Sequence, residues 1–514
     1  MKTLRVVLLK PSKYAADGSV ERFAHGFMPN ASLYHIASLT PREVANCRIE
    51  LHTIDEYVRG DLDYLDLLAG DEACDTLLAL VGVQSHQFHR ALDLAAFARS
   101  RGVEHCVIGG PHAMTCDTTA MHGRGVSFAL GEAEVVWSGV LADAARGRLD
   151  DVYSPGMRWQ KRLDGAVVTP PPARELERYV LPMLGLYPVR GCPYRCNYCS
   201  VVKIAGHPVR SADIDTTLES LRRARDGGVR YIAFVSDNFN KYPQAPELLE
   251  AMIDADLGLR FFCQCDTHVV NQPELFDLLR RAGCFEMFIG VESFNRDTLK
   301  AASKFHNYPK KYETLAALCR DNGIRAHFSN IIGFPEDTEE SILDSLEILK
   351  GLNPPVASFY VLTPIPGTEQ YDDFMAAGLV HERNLDRFDT TCSVWNHPTL
   401  SGQRLQDLLY HSYVDYYRHL MQQKNRYDEF PEFTIFCRYV ASQRMHPMAG
   451  GTGRLTLDRV EDYMALRRRT YGFEYAELPV SLGLSDEDRA FNQSSDWRRT
   501  QPSRPHRAEA GPAR

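Results

Sequence analysis

The alternation of apolar and polar positions divides the chain into stretches with different periods. From 1 to 150, short apolar runs at 4–9, 49–54, 77–83, 105–108 and 126–130 are separated by segments with helical spacing, clearest over 90–100 and 132–145. Short runs dense in Val, Ile and Leu read as strands buried on both faces, and a 3.6-residue spacing reads as helix. Strand and helix in alternation predict a doubly wound parallel sheet, with ligands at the carboxyl ends of its strands. Residues 151–180, with Pro170-Pro171-Pro172, read as a linker. A second series fills 181–372, with apolar runs at 184–189, 231–236, 260–264, 286–292, 325–332 and 358–363. Helical patterns lie between them at 216–225, 246–255, 273–282, 312–322 and 339–352. Such parallel strand–helix units predict a partial (β/α)6 barrel, with chemistry at the carboxyl ends of its strands. Residues 373–483 read as mainly helical, and Tyr410, Tyr413 and Tyr417 recur there as a packing stripe rather than a substrate cage. Residues 484–514 are polar and rich in Arg, Ser and Pro, and are expected to be disordered.

Composition narrows the classes. The chain has 514 residues, 44% hydrophobic and 24% charged, which suits a multidomain globular protein with ample core. A net charge of −9 argues against a general nucleic-acid surface. No apolar stretch has the length of a membrane span. The N-terminal run reads as a first strand rather than a signal peptide, because no small-residue cleavage site follows it. Thirteen cysteines without an export signal predict a reducing, cytoplasmic setting rather than a disulfide framework.

Three of those cysteines lie in Gly191-Cys192-Pro193-Tyr194-Arg195-Cys196-Asn197-Tyr198-Cys199, a C-x3-C-x2-C spacing directly after an apolar run. Three thiolates on one short loop can hold three irons of a [4Fe–4S] cluster and leave the fourth iron open to a small chelating molecule. Zinc prefers C-x2-C pairs and four ligands, and no matching second pair is present. Cys192, Cys196 and Cys199 are therefore the candidate metal and catalytic residues. Cys263 and Cys265 share one face of a strand; core thiols and a hydrogen-donating pair inside the barrel both remain open.

The spacing resembles that of the radical S-adenosylmethionine (SAM) enzymes, in which SAM chelates the open iron. Later segments extend the resemblance in order. Ser236-Asp237-Asn238 ends the second barrel strand where the family holds the methionine amino group. Glu292-Ser293 ends the fourth and suits ribose hydroxyls or the SAM amino-acid portion. Asn330 with Gly333-Phe334-Pro335-Glu336 resembles the fifth-strand motif beside the adenine, and Tyr198 belongs to the cysteine loop itself. Thr363-Pro364-Ile365-Pro366-Gly367-Thr368 also resembles the cobalamin-linked branch.

The N-terminal, Rossmann-like domain completes the resemblance to cobalamin-dependent methylases. The matching points are Gln84-Ser85-His86 after the third strand, Gly109-Gly110-Pro111 after the fourth and Gly131-Glu132 after the fifth. Glycines there would let backbone approach a corrin edge or its nucleotide loop. The chain departs from cobalamin carriers in one respect. No D-x-H-x-x-G motif follows the first strand, which continues Lys10-Pro11-Ser12-Lys13-Tyr14. His86 could face cobalt or be an ordinary surface histidine.

The resemblance implies a [4Fe–4S] cluster, SAM and cobalamin as cofactors, and an electron donor such as flavodoxin or ferredoxin. It implies methylation of an unactivated carbon in a small-molecule, lipid or peptide substrate, with Phe388, Trp395 and His397 as candidate lining. A cobalamin-associated cyclase or ring-rearranging enzyme is the alternative, and a non-catalytic iron–sulfur sensor a more distant one.

Overall fold

The computed structural model describes residues 2–70, 74–163, 166–423, 454–455, 459–472 and 477–494. The period of two along the first strand, Lys2–Lys10, sorts its side chains into two cores. Leu4, Val6 and Leu8 join Leu33, Tyr34, Trp137 and Val140 on one face, while Val7 and Leu9 join Phe88, Leu92 and Ala95 on the other. Helices Ala31–Leu39 and Ala133–Ala145 cover the first face, and Phe88–Ser100 covers the second. The sheet runs Cys47–Asp55, Lys2–Lys10, Asp75–Leu80, His105–Gly109, Ser127–Ala129, Val152–Tyr153, all parallel, with Glu43–Val44 antiparallel at one edge. Strand order therefore reverses between Lys2–Lys10 and Asp75–Leu80, the switch point where such sheets bind ligands. Val152–Tyr153, expected in the linker, is the last strand, because it pairs in register with Phe128 and Ala129.

Six parallel strands then pair strictly in chain order: Met183–Leu186, Tyr231–Phe234, Arg260–Cys265, Cys284–Glu292, Arg325–Ile332 and Val356–Val361. Their outward residues, among them Phe234, Phe261, Ile289, Phe328 and Phe359, pack under the helices. Cys263 and Cys265 belong to this outward set with Cys284 and Cys319, so they are core thiols and do not point into the barrel. The open edge is covered by the N-terminal domain. Gly26 bridges Tyr179 in parallel, and Phe27 and Met28 pack against Met183, Tyr231 and Ala233.

In the C-terminal region, helix Gly402–Gln422 lies on the last barrel strand. Tyr413 Oη bonds both Phe359 N and Phe359 O at 3.0 Å, Tyr417 Oη donates to Ala357 O at 2.8 Å, and Tyr410 faces solvent. The tyrosine stripe is thus mostly packing. Residues 424–453 of the expected helical region lie outside the described residues.

The tail is not wholly unstructured. Helix Asp486–Gln493, capped by Ser485, folds back because its polar sequence hides three anchors. Asp488 accepts from Arg158 N at 2.9 Å and meets Arg158 Nε at 3.2 Å, both side chains being buried. Phe491 packs on Trp159, with centroids 5.4 Å apart, and Asn492 Oδ1 accepts from His207 N at 2.9 Å. Residues 495–514 lie outside the described residues. Among the described residues no helix is long and apolar enough to cross a membrane.

Two stability consequences follow. Asp488→Ala leaves Arg158 buried without its carboxylate, at a cost of about 3 kcal/mol; a lower thermal midpoint than wild type, with the barrel strands retained by circular dichroism, checks this. His112 is buried, stacked on Phe88 at 3.9 Å and 3.1 Å from Ser85 Oγ, and burial pulls its pKa down to about 3. The unfolded chain, titrating near the ordinary value of about 6.5, binds the extra proton first, so this contribution is intact above that pH and is lost as pH falls towards 3. Denaturant midpoints should therefore fall between pH 7 and pH 5 by the equivalent of about 2 kcal/mol, and by less in His112→Gln.

Candidate active site

The cysteine loop is built as a closed lobe. Val189–Arg190 pairs antiparallel with Arg210–Ser211, so the chain between them must leave and return at one point. Gly191 makes that possible: its φ is +98°, and a Cβ there would sit 2.2 Å from Pro208 O. Its N–H donates to Asp237 Oδ2 at 2.8 Å. Further along, Cys192 N donates to Gly206 O at 3.1 Å, Asn197 N to Ala302 O at 3.2 Å and Cys199 N to Cys196 O at 3.2 Å. The loop backbone is therefore fixed from several sides.

Burial, and then the neighbouring Cys199 sulfur, push the Cys192 thiol well above its ordinary range. Burial pushes Cys196 up to about 12, against the pull of Lys304, and raises Cys199 as well. Three such sulfurs can be thiolates together only around positive charge, and that donor chemistry fits an iron–sulfur cluster. Among the described residues no three His, Cys, Asp or Glu side chains converge closely enough for a single metal ion. Asn238 Nδ2 donates to Cys192 Sγ at 3.2 Å, a bond to sulfur of the kind that tunes cluster potential.

The other predicted SAM contacts separate into those that face this loop and those that do not. Ser236 is fully buried, with Oγ accepting from Val189 N at 3.4 Å, and Asp237 anchors Gly191. Tyr198 meets Phe334 edge-on at 6.0 Å. Glu292 sits at a bulge with φ +62°, a conformation costing a side-chain-bearing residue ~1–3 kcal/mol. That turn brings Glu292 Oε1 to 2.6 Å from Lys304 Nζ, a buried pair. Lys304 stands close enough to pull on Cys196 and Cys199, and no motif or spacing marked it. Ser293 Oγ is occupied as a turn cap, accepting from Asn295 N at 3.1 Å. Asn330 turns to the helix layer, its amide donating to Phe328 O and Ser358 O at 2.9 and 3.2 Å. The inward residue at that level is Ser329, whose hydroxyl reaches Glu292 Oε2 at 3.4 Å.

At the switch point of the N-terminal sheet lies a cavity of about 360 Å³, lined by Lys10, Gly82, Gln84, Gly109, Pro111 and Gly131 among others. Gly109 would meet only Ala129 Cβ, at 3.4 Å, so its backbone faces open space. Gly110 differs: with φ +130°, a Cβ would strike Val83 N at 2.3 Å, so its bareness serves packing within the domain. Ser85 is tied to His112. Glu132 is a strut rather than a free contact. Its carboxylate takes Arg210 at 2.9 Å through both oxygens, Arg190 at 3.2 Å and Gln160 N at 2.9 Å.

A second cavity, of about 720 Å³, lies between the N-terminal loops and the barrel interior. His86 and Gln84 reach it from above, Phe388 from the side, and His327, Ser358 and Tyr360 from the barrel wall. Trp395 instead is buried with Nε1 donating to Leu362 O at 3.0 Å, and His397 Nε2 lies 2.7 Å from Phe334 O. Neither lines the cavity. Lys10, Asn30, Gln84, Tyr187 and Val235 line both cavities, which therefore adjoin.

A partial parallel barrel carrying a three-cysteine cluster loop defines the class. Residues 186–349 match the family model of the Radical SAM superfamily. The matched segment holds the barrel strands and the cysteine loop, and over it the chain is similar to enzymes of that superfamily. It is 29% identical over 309 residues to the bacteriochlorophyllide d C-12(1)-methyltransferase of Chlorobaculum tepidum, covering 58% of this chain and 66% of that one. With the hopanoid C-3 methylase of Methylococcus capsulatus it shares 26% over 350 residues, 63% and 65% of the two chains. Among solved structures, the radical SAM methyltransferase TsrM of Kitasatospora setae, with cobalamin and a [4Fe-4S] cluster bound, superposes with TM-score 0.57 at 15% identity, covering 88% of this chain and 99% of that one. The cobalamin-dependent enzyme OxsB gives TM-score 0.59 at 13% identity over 87% and 72%.

Each of Cys192→Ala, Cys196→Ala and Cys199→Ala should fail to reach full iron loading on anaerobic reconstitution, while Cys263→Ala, altering a core thiol, should load fully. Iron and sulfide analysis decides the matter. A triple variant that still cleaved SAM would overturn the assignment.

Proposed function

We propose that the protein is a cobalamin-dependent radical SAM methyltransferase that methylates an unactivated carbon of a small-molecule substrate. The observation that carries this reading is the joining of two cavities. The glycine edge of the N-terminal sheet opens directly onto the barrel interior, through the wall residues shared by both. Similarity to C-methyltransferases over more than half the chain supports it. When bound, the cluster supplies the electron that cleaves SAM, and cobalamin supplies the carrier of the methyl group.

The chain's own residues do the holding. Cys192, Cys196 and Cys199 would ligate the cluster, with Asn238 bonded to the first sulfur. Ser236, Asp237 and the Glu292–Lys304 pair offer polar groups for the amino-acid and ribose portions of SAM, and Tyr198 offers a ring. Gly82, Gln84, Gly109, Pro111 and Gly131 would cradle cobalamin by backbone and short side chains. His86 stands on the wall facing the larger cavity. Phe27 and Met28 cover the barrel's open edge and line the larger cavity. An electron donor such as flavodoxin or ferredoxin would dock from outside.

The reading is tested on the reconstituted protein with methyl-labelled SAM. Cobalamin should stay with the protein through gel filtration, and a supplied substrate should gain the label as 5′-deoxyadenosine and S-adenosylhomocysteine accumulate together. Similarity to the anaerobic magnesium-protoporphyrin IX monomethyl ester cyclase of Rubrivivax gelatinosus, 24% over 187 residues, keeps a cyclase as the competing reading. Substrate turnover with 5′-deoxyadenosine but no label in the product would select it.

A further inference from the structure

Three adjacent barrel strands point a carboxylate, an imidazole and a hydroxyl inward along one diagonal, and none of the cofactor-binding segments uses them. His327 Nδ1 lies 2.8 Å from Glu286 Oε1, and His327 Nε2 lies 2.5 Å from Ser358 Oγ. All three residues are buried, yet His327 and Ser358 form part of the wall of the 720 Å³ cavity. The ring is also fixed by Phe288, edge-on at 4.8 Å, and the Ser358 carbonyl by the amide of Asn330. Beside them in the barrel interior Tyr231, Ala233, Phe262 and Phe285 pack together as an apolar patch. Three buried polar groups in such surroundings cost desolvation energy unless each is bonded. Here they are bonded in a line, and the line ends at the cavity.

The direction of that line follows from its acidic end. A carboxylate only accepts, so Glu286 takes the proton on His327 Nδ1, and with the single ring proton placed there Nε2 is an acceptor. Ser358 must then give its single hydroxyl proton to Nε2. What its oxygen offers the cavity is lone pairs alone. We propose that Ser358, oriented by His327 and Glu286, is a specificity-determining acceptor for a substrate that presents an N–H or O–H group to this wall. The substrate class is thus a molecule with a hydrogen-bond donor, such as a pyrrole-type N–H or a hydroxyl, rather than a bare hydrocarbon. This rests on the proposed function only in taking the larger cavity as the substrate site.

The test uses the full-length, cluster-reconstituted protein and two probes of the same bicyclic shape, indole with an N–H and benzofuran with an oxygen acceptor. Wild type should bind indole about tenfold more tightly than benzofuran by calorimetry, and Ser358→Ala should bind the two alike. Equal affinities in wild type, or a preference that survives in Ser358→Ala, would overturn the proposal. A second measurement needs no folded Ser358 variant. In ¹⁵N-histidine-labelled wild type, the ring signals missing from a His327→Gln spectrum should show a neutral imidazole protonated at Nδ1. A proton on Nε2 would reverse the line and overturn it equally. Neither measurement involves methyl transfer, so failure of the labelled-SAM experiment and failure of this one are separate results.

Discussion

The two halves of this molecule meet where a side chain is missing. Gly185, in the first barrel strand, would carry a Cβ only 2.4 Å from Ala31 Cβ and 3.2 Å from Met28 Cε. Its bareness lets the first helix of the N-terminal domain, capped by Asn30, seat directly on the barrel wall. From that contact the rest follows. Phe27 and Met28 enter the open side of the barrel, the loop before them pairs with the entry to the first strand, and the carboxyl edge of one sheet comes to face the interior of the other. A methyl group at this position would force the seam between helix and strand to shift.

Electrostatics lock the same seam. Glu134 is buried, which by itself would raise its carboxyl, but Arg190 at 2.8 Å and His35 at 2.6 Å hold it well below the usual carboxylate range. Glu132 beside it takes Arg190 and Arg210. Both arginines flank the cysteine loop, one on each strand of the ribbon that closes it. The N-terminal domain therefore fixes the base of the cluster loop through two carboxylates at the start of one helix. Buried ion pairs of this kind add little net stability over an apolar contact but are costly to break singly, so they specify register rather than strength. Helix Asp486–Gln493 acts on the same loop from the other side, through Asn492 on His207, whose ring lies 3.2 Å from Cys192 O.

Much of this was readable along the chain, and the reason is local. Strand and helix series are set by residue period, and the barrel strands appear within a few residues of where the apolar runs put them. The three candidate cysteines were marked by their spacing alone. Gly191 could be expected at a turn, though not its 2.2 Å approach to Pro208, a contact across the folded lobe. The tail shows the opposite limit. Residues 485–494 look unstructured by composition, because Asp488, Phe491 and Asn492 are too few to signal a packed helix, and their partners lie hundreds of residues earlier.

The sequence by itself carried the fold class, the candidate cluster cysteines and the resemblance to radical SAM enzymes, since each depends on periodicity or on residues close together in the chain. Only the tertiary structure decided how the individual polar groups are used. Glu132 became a strut, Ser85 a partner of His112, Ser293 a turn cap, and Asn330 a brace on the outer face of its strand. Lys304 came to the cluster loop, and Glu286, His327 and Ser358 came to one wall. A carboxylate or amide at a strand end has the same local signature whether it binds a ligand or a neighbour. The choice is made by which groups from distant strands arrive within hydrogen-bonding distance and exclude water, and that is a property of the assembled barrel.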